Sequence, residues 1–206
     1  MSKVIKCKVI VIGDSNVGKT SIINTIINEK TVSQKTTIEI SSVTKEMKIE
    51  NQKFKFEIWD TIGQERYHSV NRMFYLDSKI CIIVYDITNK TSYENAIGKW
   101  LNDIQKFNNR DLIIGLAGNK CDLYDQEKVN EHEARNFCNQ YDIIFGLTSV
   151  YNNIGIEELF NNLSKKFYDN YKNGIYGDLI ENISLSSEKM SNSSLKETKK
   201  KKFCCN

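Results

Sequence analysis

A chain of 206 residues, 40 % hydrophobic and 27 % charged, has material for one globular domain plus an extension, and no apolar run long enough to span a bilayer. The formal net charge of +3 is slight and its positive residues crowd the C-terminus, which argues against a broad nucleic-acid-binding face; no nucleic-acid partner is expected. Lys3, Lys6 and Lys8 interleave with the first apolar run, so no secretory signal is expected either.

In chain order, strands are predicted near 4–12, 38–49, 53–59, 80–86, 112–118 and 143–147, with helices near 19–28, 65–76, 92–107, 131–140 and 156–171. Strand and helix alternate, the pattern of a parallel α/β sheet flanked by about five helices. Between 43 and 58 the side chains alternate instead: Val43, Met47 and Ile49, a break at Glu50-Asn51-Gln52, then Phe54, Phe56 and Ile58. That predicts an antiparallel hairpin, making the six-stranded sheet mixed. Thr91 three residues before Glu94, and Asn130 three before Glu133, read as capping boxes. From about Asn173 the pattern lapses into Gly, Ser, Asn and Lys, so residues 1–172 are expected to form the domain and 173–206 a flexible tail. Cys7, Cys81, Cys121 and Cys138 stand singly without metal-ligand spacing, as reduced buried thiols of a cytosolic protein do.

The chemistry concentrates at strand ends. Gly13-Asp14-Ser15-Asn16-Val17-Gly18-Lys19-Thr20 fits G-x-x-x-x-G-K-[ST] between the β-branched run Val9-Ile10-Val11-Ile12 and the helical pattern Ser21-Ile22-Ile23-Asn24-Thr25-Ile26-Ile27. Glycines let backbone N–H groups from Ser15, Asn16, Val17 and Gly18 turn inward on phosphate oxygens, and the helix that begins there adds its positive end. Lys19 would reach the β- and γ-phosphates and the Thr20 hydroxyl would ligate Mg²⁺. Asp60 closes a strand and is suited to hold Mg²⁺ through water; Gly63 is placed to offer its N–H to a γ-phosphate, and Gln64 to orient an attacking water. In Asn119-Lys120-Cys121-Asp122, Asp122 would accept from guanine N1–H and the 2-amino group. Adenine lacks both donors and would strand a desolvated carboxylate, a mismatch on the order of 10⁴-fold. In Thr148-Ser149-Val150 a backbone N–H would meet guanine O6. Alone, Asn-Lys-x-Asp is an ordinary turn, Asp60 a cap and Ser149 a turn residue; in this order, each at a strand's C-terminal end, they form a constellation.

With GDSNVGKT, WDTIGQERYHSV, the strand Ile83-Val84-Tyr85-Asp86-Ile87-Thr88, NKCD and a terminal Cys pair, the chain resembles the Rab small GTPases of the Ras superfamily over about residues 4–170 and its last two cysteines. WDT-GQERYHS followed by Met73-Phe74-Tyr75 is closest to the endosomal subgroup. The resemblance implies a P-loop NTPase fold and a GTPase that binds GTP, GDP and Mg²⁺, hydrolysing GTP slowly as a switch of vesicular or endosomal traffic. Lys19, Gly63 and Gln64 would serve hydrolysis. Ser15 through Ser21, Thr37, Gly63, Asn119, Lys120, Asp122, Ser149 and Val150 would hold nucleotide. Thr20, Thr37 (with Thr36 the alternative) and Asp60 would hold magnesium. Expected partners are an exchange factor, a GTPase-activating protein, a GDP-dissociation inhibitor or escort protein, and effectors reached through Trp59 and Phe74.

The chain also departs from that family. Glu39 stands where Gly follows Thr-Ile, and no aromatic residue lies between Lys19 and Lys53, where relatives lay a ring over the guanine edge. Nucleotide is therefore expected to leave about 2- to 10-fold faster than from a typical Rab, a difference that stopped-flow GDP release would read. Ile62 replaces Ala before Gly63 and would stiffen that hinge, slowing hydrolysis; the limiting case is a nucleotide-bound interaction module with little turnover. Leu76-Asp77 replaces Arg-Gly, and Val150-Tyr151 replaces Ala-Lys beside the base. An ATP-using enzyme is disfavoured by Asp122. The ending Lys199-Lys200-Lys201-Lys202-Phe203-Cys204-Cys205-Asn206 is not a C-a-a-X box but resembles the Cys-Cys-x ending that is doubly geranylgeranylated in Rabs. Lipids on Cys204 and Cys205, aided by the lysines, would anchor the protein to the cytoplasmic face of an intracellular membrane, from which it would cycle with the cytosol.

Overall fold

The first strand, β1 (Val4–Gly13), changes its burial halfway: exposed and buried residues alternate to Lys8, then every residue from Val9 to Gly13 is buried. A strand reads that way when helices cover both faces of its C-terminal half. In this computed structural model, which describes residues 4–27, 42–60, 75–106 and 111–176, β1 lies inside a six-stranded sheet of order β2-β3-β1-β4-β5-β6. The strands are β2 (Ser42–Ile49), β3 (Gln52–Asp60), β4 (Ser78–Asp86), β5 (Ile113–Asn119) and β6 (Ile144–Thr148). β1 pairs in parallel with β3 on one side and β4 on the other, and β4–β5 and β5–β6 continue parallel. The predicted hairpin is present: β2 runs antiparallel to β3, from Ile49 opposite Gln52 to Ser42 opposite Trp59. Glu50 makes the tight reversal at φ 51°, a left-handed conformation. Because the chain places its later strands on opposite sides of β1, the sheet's topological switch point falls at the C-terminal end of β1, where open α/β sheets bind ligands.

The helices follow from apolar spacing. α1 (Lys19–Ile27) buries Lys19, Ile22, Ile23, Ile26 and Ile27, a single 3.6-residue stripe. α5 (Ile156–Lys172) buries Ile156, Leu159, Phe160, Leu163, Ser164, Phe167 and Tyr168 in the same rhythm. Its Phe160 meets Phe56 edge-on at 5.3 Å, and Phe167 meets Phe54 at 5.7 Å, a ring geometry that favours contact beyond simple burial. Across the sheet, Tyr85, Tyr93, Trp100, Leu101 and Leu116 belong to the second core.

Two expectations need correction. The single helix predicted at 92–107 is three pieces: α2 (Lys90–Asn95), a π-helical turn (Ala96–Trp100) and α3 (Leu101–Lys106). Its cap is Asn89, whose side chain accepts from Ser92 N–H at 3.3 Å, not Thr91. Ser92 is buried and its hydroxyl donates to Asn89 O at 2.7 Å, so the first turn is tied down at Asn89 while Thr91 faces solvent. Asn130 does cap α4 (Glu131–Gln140), accepting from His132 N–H at 2.8 Å and Glu133 N–H at 3.4 Å. The helix predicted at 65–76 lies outside the described residues up to residue 74, as do residues 38–41 of the second strand and the tail from 177. The sheet belongs to one compact unit, Met1–Asp169. In the second, Asn170–Asn206, the N–H of Ile175 donates to Asn170 O at 3.1 Å.

Candidate nucleotide site

The loop between β1 and α1 is shaped by backbone that only certain residues adopt: Gly13 at φ 143°, Asn16 at φ 63° and Gly18 at φ 100°. A Cβ at Gly13 would stand 2.2 Å from Val84 O, and one at Gly18 would stand 2.3 Å from Asn119 Nδ2. The loop therefore lies directly on the ends of β4 and β5, which glycine alone permits. Asn16 takes the left-handed conformation that asparagine tolerates best among side-chain residues. Lys19 is 7 % exposed, and its ammonium donates back to Gly13 O at 3.0 Å and Asp14 O at 2.7 Å, bridging the loop from within. Beside it the Thr20 hydroxyl donates to Asp60 Oδ2 at 2.7 Å across the end of β3. A hydroxyl and a buried carboxylate are hard oxygen donors of the kind Mg²⁺ takes, so the residues present fit that ion.

At the other end three strand-terminal residues interlock. Asn119, 2 % exposed, donates from Nδ2 to Val17 O at 2.8 Å and accepts at Oδ1 from Thr148 Oγ1 at 3.1 Å, which ties the phosphate loop to β5 and β6. Lys120 sits at φ 65° and ψ 35°, a conformation costing about 1 kcal/mol for a non-glycine residue. Its ammonium pairs with Asp86 Oδ2 at 2.5 Å. Burial pushes the Asp86 carboxyl up, but hydrogen bonds from Lys120 and Thr88 outweigh it and hold the group below the usual aspartate range. Asp122 Oδ1 accepts from Ser149 Oγ at 2.5 Å, and the buried Ser149 hydroxyl in turn accepts from Asn152 N–H at 3.0 Å. The Ser149 hydroxyl thus orients the carboxylate.

These ends face one cleft of about 590 Å³, within the range of small-molecule and cofactor sites. Of the predicted residues, Ser15, Asn16, Gly18, Lys19, Thr20 and Ser21 line its phosphate end, while Asn119, Lys120, Asp122 and Val150 line the other. Val17 and Ser149 stand behind the wall, the first through its carbonyl on Asn119 and the second through its hydroxyl on Asp122. Thr37, Gly63, Gln64, Phe74, Cys204 and Cys205 lie outside the described residues. Trp59 is half-buried on β3 with the Lys8 ammonium 5.0 Å from its ring centroid. Cys7, Cys81 and Cys138 are buried free thiols as expected, and burial raises all three, Cys138 to about 12. Cys121 is only partly buried, a correction that follows from its place on the exposed 3₁₀ turn Cys121–Gln126; burial and the neighbouring Asp122 charge raise it too.

Several residues beside the cleft were not among the predicted nucleotide or magnesium contacts. Tyr151 lines the cleft and is 88 % exposed. Asp86 and Thr148 were within reach of a simple rule, since each is a polar residue closing an apolar strand, as Asp60 and Asn119 do. Asp14, by contrast, occupies an unrestricted position of the loop motif and carries no local signal.

A glycine-bounded phosphate loop with a buried ammonium, set at the switch point of a mixed six-stranded sheet, defines a P-loop nucleotide-binding protein. The sequence matches the Ras family over residues 8–169. It is 36 % identical over 166 residues to the Ras-related protein RABF2a of Arabidopsis thaliana, covering 80 % of this chain and 82 % of that one. It is 36 % identical over 163 residues to the Ras-related protein Rab5 of Nicotiana tabacum, covering 79 % and 81 % of the two chains. It is 34 % identical over 166 residues to the Ras-related protein Rab-5A of Dictyostelium discoideum, covering 80 % and 82 %. The chain belongs to the Ras family. Members of that family are GTPases that bind GTP, GDP and Mg²⁺, and its Rab branch works with exchange factors, activating proteins, dissociation inhibitors and effectors.

Proposed function

We propose that this chain is a membrane-anchored GTP/GDP switch of vesicular, endosomal traffic, built from a domain over 1–172 and a tether over 173–206. The observation that carries the reading is the Asp122 carboxylate, oriented by Ser149 in the same cleft as the Lys19 ammonium. One end of that cleft suits a base with two adjacent donors and the other suits phosphate. Thr20 and Asp60, joined by Thr37, would hold magnesium, which supplies charge neutralisation between phosphates when bound. Lys19 would draw the β- and γ-phosphates together, Gly63 would offer its N–H to the γ-phosphate, and Gln64 would orient the water for in-line attack. Thr37 and Gly63 would be ordered by the γ-phosphate and released on its loss, the structural change an effector reads beside Trp59 and Phe74.

The Rab5 names of its relatives support the endosomal assignment, and the terminal Cys204-Cys205 behind four lysines supports a doubly lipidated anchor on the cytoplasmic face. Single-turnover GTP hydrolysis tests the switch. The protein alone should hydrolyse on the order of 10⁻⁴ to 10⁻² per second, and a Rab-activating protein should accelerate it at least roughly 10³-fold. Bound GTP that stays intact under both conditions would instead mark the chain as a nucleotide-bound interaction module.

A further inference from the structure

Asp14 does not line the cleft. Its carboxylate accepts from Trp100 Nε1 at Oδ1, 2.8 Å, and from Asn95 Nδ2 at Oδ2, 2.7 Å, while its carbonyl accepts from Lys19 Nζ at 2.7 Å. Residues five apart on an α-helix diverge by about 140° around its axis and cannot grip one carboxylate from the same face. Here the π turn intervenes: the N–H of Leu101 reaches back five residues to Ala96 O, and the extra residue in that turn narrows the gap between Asn95 and Trp100. Trp100 is itself 5 % exposed, with the Lys99 ammonium 4.6 Å from its ring centroid, so its donor is fixed in place.

From this juxtaposition we infer that Asn95 and Trp100 are positioning residues for nucleotide, acting through Asp14 to hold the phosphate loop in its inward-facing form. The loop needs such a hold, because Asn16 at φ 63° and Gly18 at φ 100° keep its backbone in conformations that an unrestrained segment would leave. Lys19 and the helix pair hold Asp14 at two points, one at the carbonyl and the other at the carboxylate. The inference rests on the reading of the cleft as a guanine-nucleotide site.

Two measurements on the full chain test it. The first is release of a fluorescent GDP analogue from wild type, Trp100→Phe, Asn95→Ala, Asp14→Ala and the Asp14→Ala/Trp100→Phe pair. Trp100→Phe and Asn95→Ala should each speed release about tenfold, the effect of losing one hydrogen bond to a charged group, and Asp14→Ala, which loses both bonds, at least as much. The pair should release no faster than Asp14→Ala alone, since both changes break one interaction. The second is amide hydrogen exchange over residues 14–18 in nucleotide-free protein, which should quicken in the same variants while β4 and β5 stay protected. Asn95 is half-buried, so Asn95→Ala keeps the test available if Trp100→Phe fails to fold. Folded variants with wild-type release and wild-type exchange overturn the inference, as does a Trp100→Phe effect that adds in full to Asp14→Ala. Wild-type protein without affinity for guanine nucleotide overturns the proposed function instead, and the exchange measurement still decides whether the helix pair braces the loop.

Discussion

Asp122→Asn is expected to weaken GDP binding roughly 10⁴-fold while leaving the fold intact. A carboxylate accepts on both oxygens and so satisfies two adjacent donors, guanine N1–H and the 2-amino group. An amide presents one oxygen and one NH₂, and that NH₂ would face a donor, leaving buried polar groups unpaired. Xanthine carries a carbonyl where guanine carries the amino group, so its edge is complementary to the amide. The variant should accordingly bind xanthosine diphosphate in place of GDP. Structure should survive because the one side-chain bond described for Asp122, from the Ser149 hydroxyl to Oδ1, can be accepted equally by an amide oxygen. Calorimetric titration of both nucleotides reads the exchange. GDP affinity unchanged from wild type would remove Asp122 from base recognition.

Gly13→Ala should fail for a different reason. The position has φ 143°, and the added methyl would lie 2.2 Å from Val84 O and 3.3 Å from Val17 Cγ2. Val84 is the register partner of Gly13 between β1 and β4, so the obstacle is sheet backbone that cannot step aside without breaking the pairing. Strain of this kind combined with a backbone clash costs about 3 to 5 kcal/mol, at the upper end for single substitutions. For a domain of this size that lowers Tm by roughly 10 °C. The loop that survives would also be displaced from Asn119 and Lys19, so nucleotide should be lost even below the transition. A Tm equal to that of wild type would mean the loop does not rest on β4 as described.

The contrast between these two positions bears on what a linear sequence discloses. Gly13 and Asp122 were both legible because their chemistry is local: a motif of fixed spacing in one case, a carboxylate three residues past a strand-ending Asn in the other. The strands were legible for the same reason. Buried parallel strands such as Ile80-Cys81-Ile82-Ile83-Val84 write continuous apolar runs, and the β2–β3 hairpin writes alternation across a polar break. The π turn was not, since nothing between Lys90 and Lys106 signals an extra residue in the helix; it accompanies a tertiary bond from Trp100 to a loop 86 residues earlier. The capping error has a similar origin. Thr91 fits the pattern, but burial of Ser92 against Asp86 and Asn89 selects the earlier cap. At the site, sequence identified most of the residues that face the cleft and missed most of the bonds that hold them. Asn119 was visible as a motif letter, whereas its bonds to Val17 and Thr148 exist only once β1, β5 and β6 are assembled.

Asp122 and Lys19 line opposite ends of one cleft, which on the proposed function takes a guanosine phosphate. Titration of nucleotide-free protein with GDP and with ADP, magnesium present in both, tests it most directly. GDP should bind on the order of 10⁴-fold more tightly than ADP. Equal affinity for the two, or no binding of GDP, would contradict it.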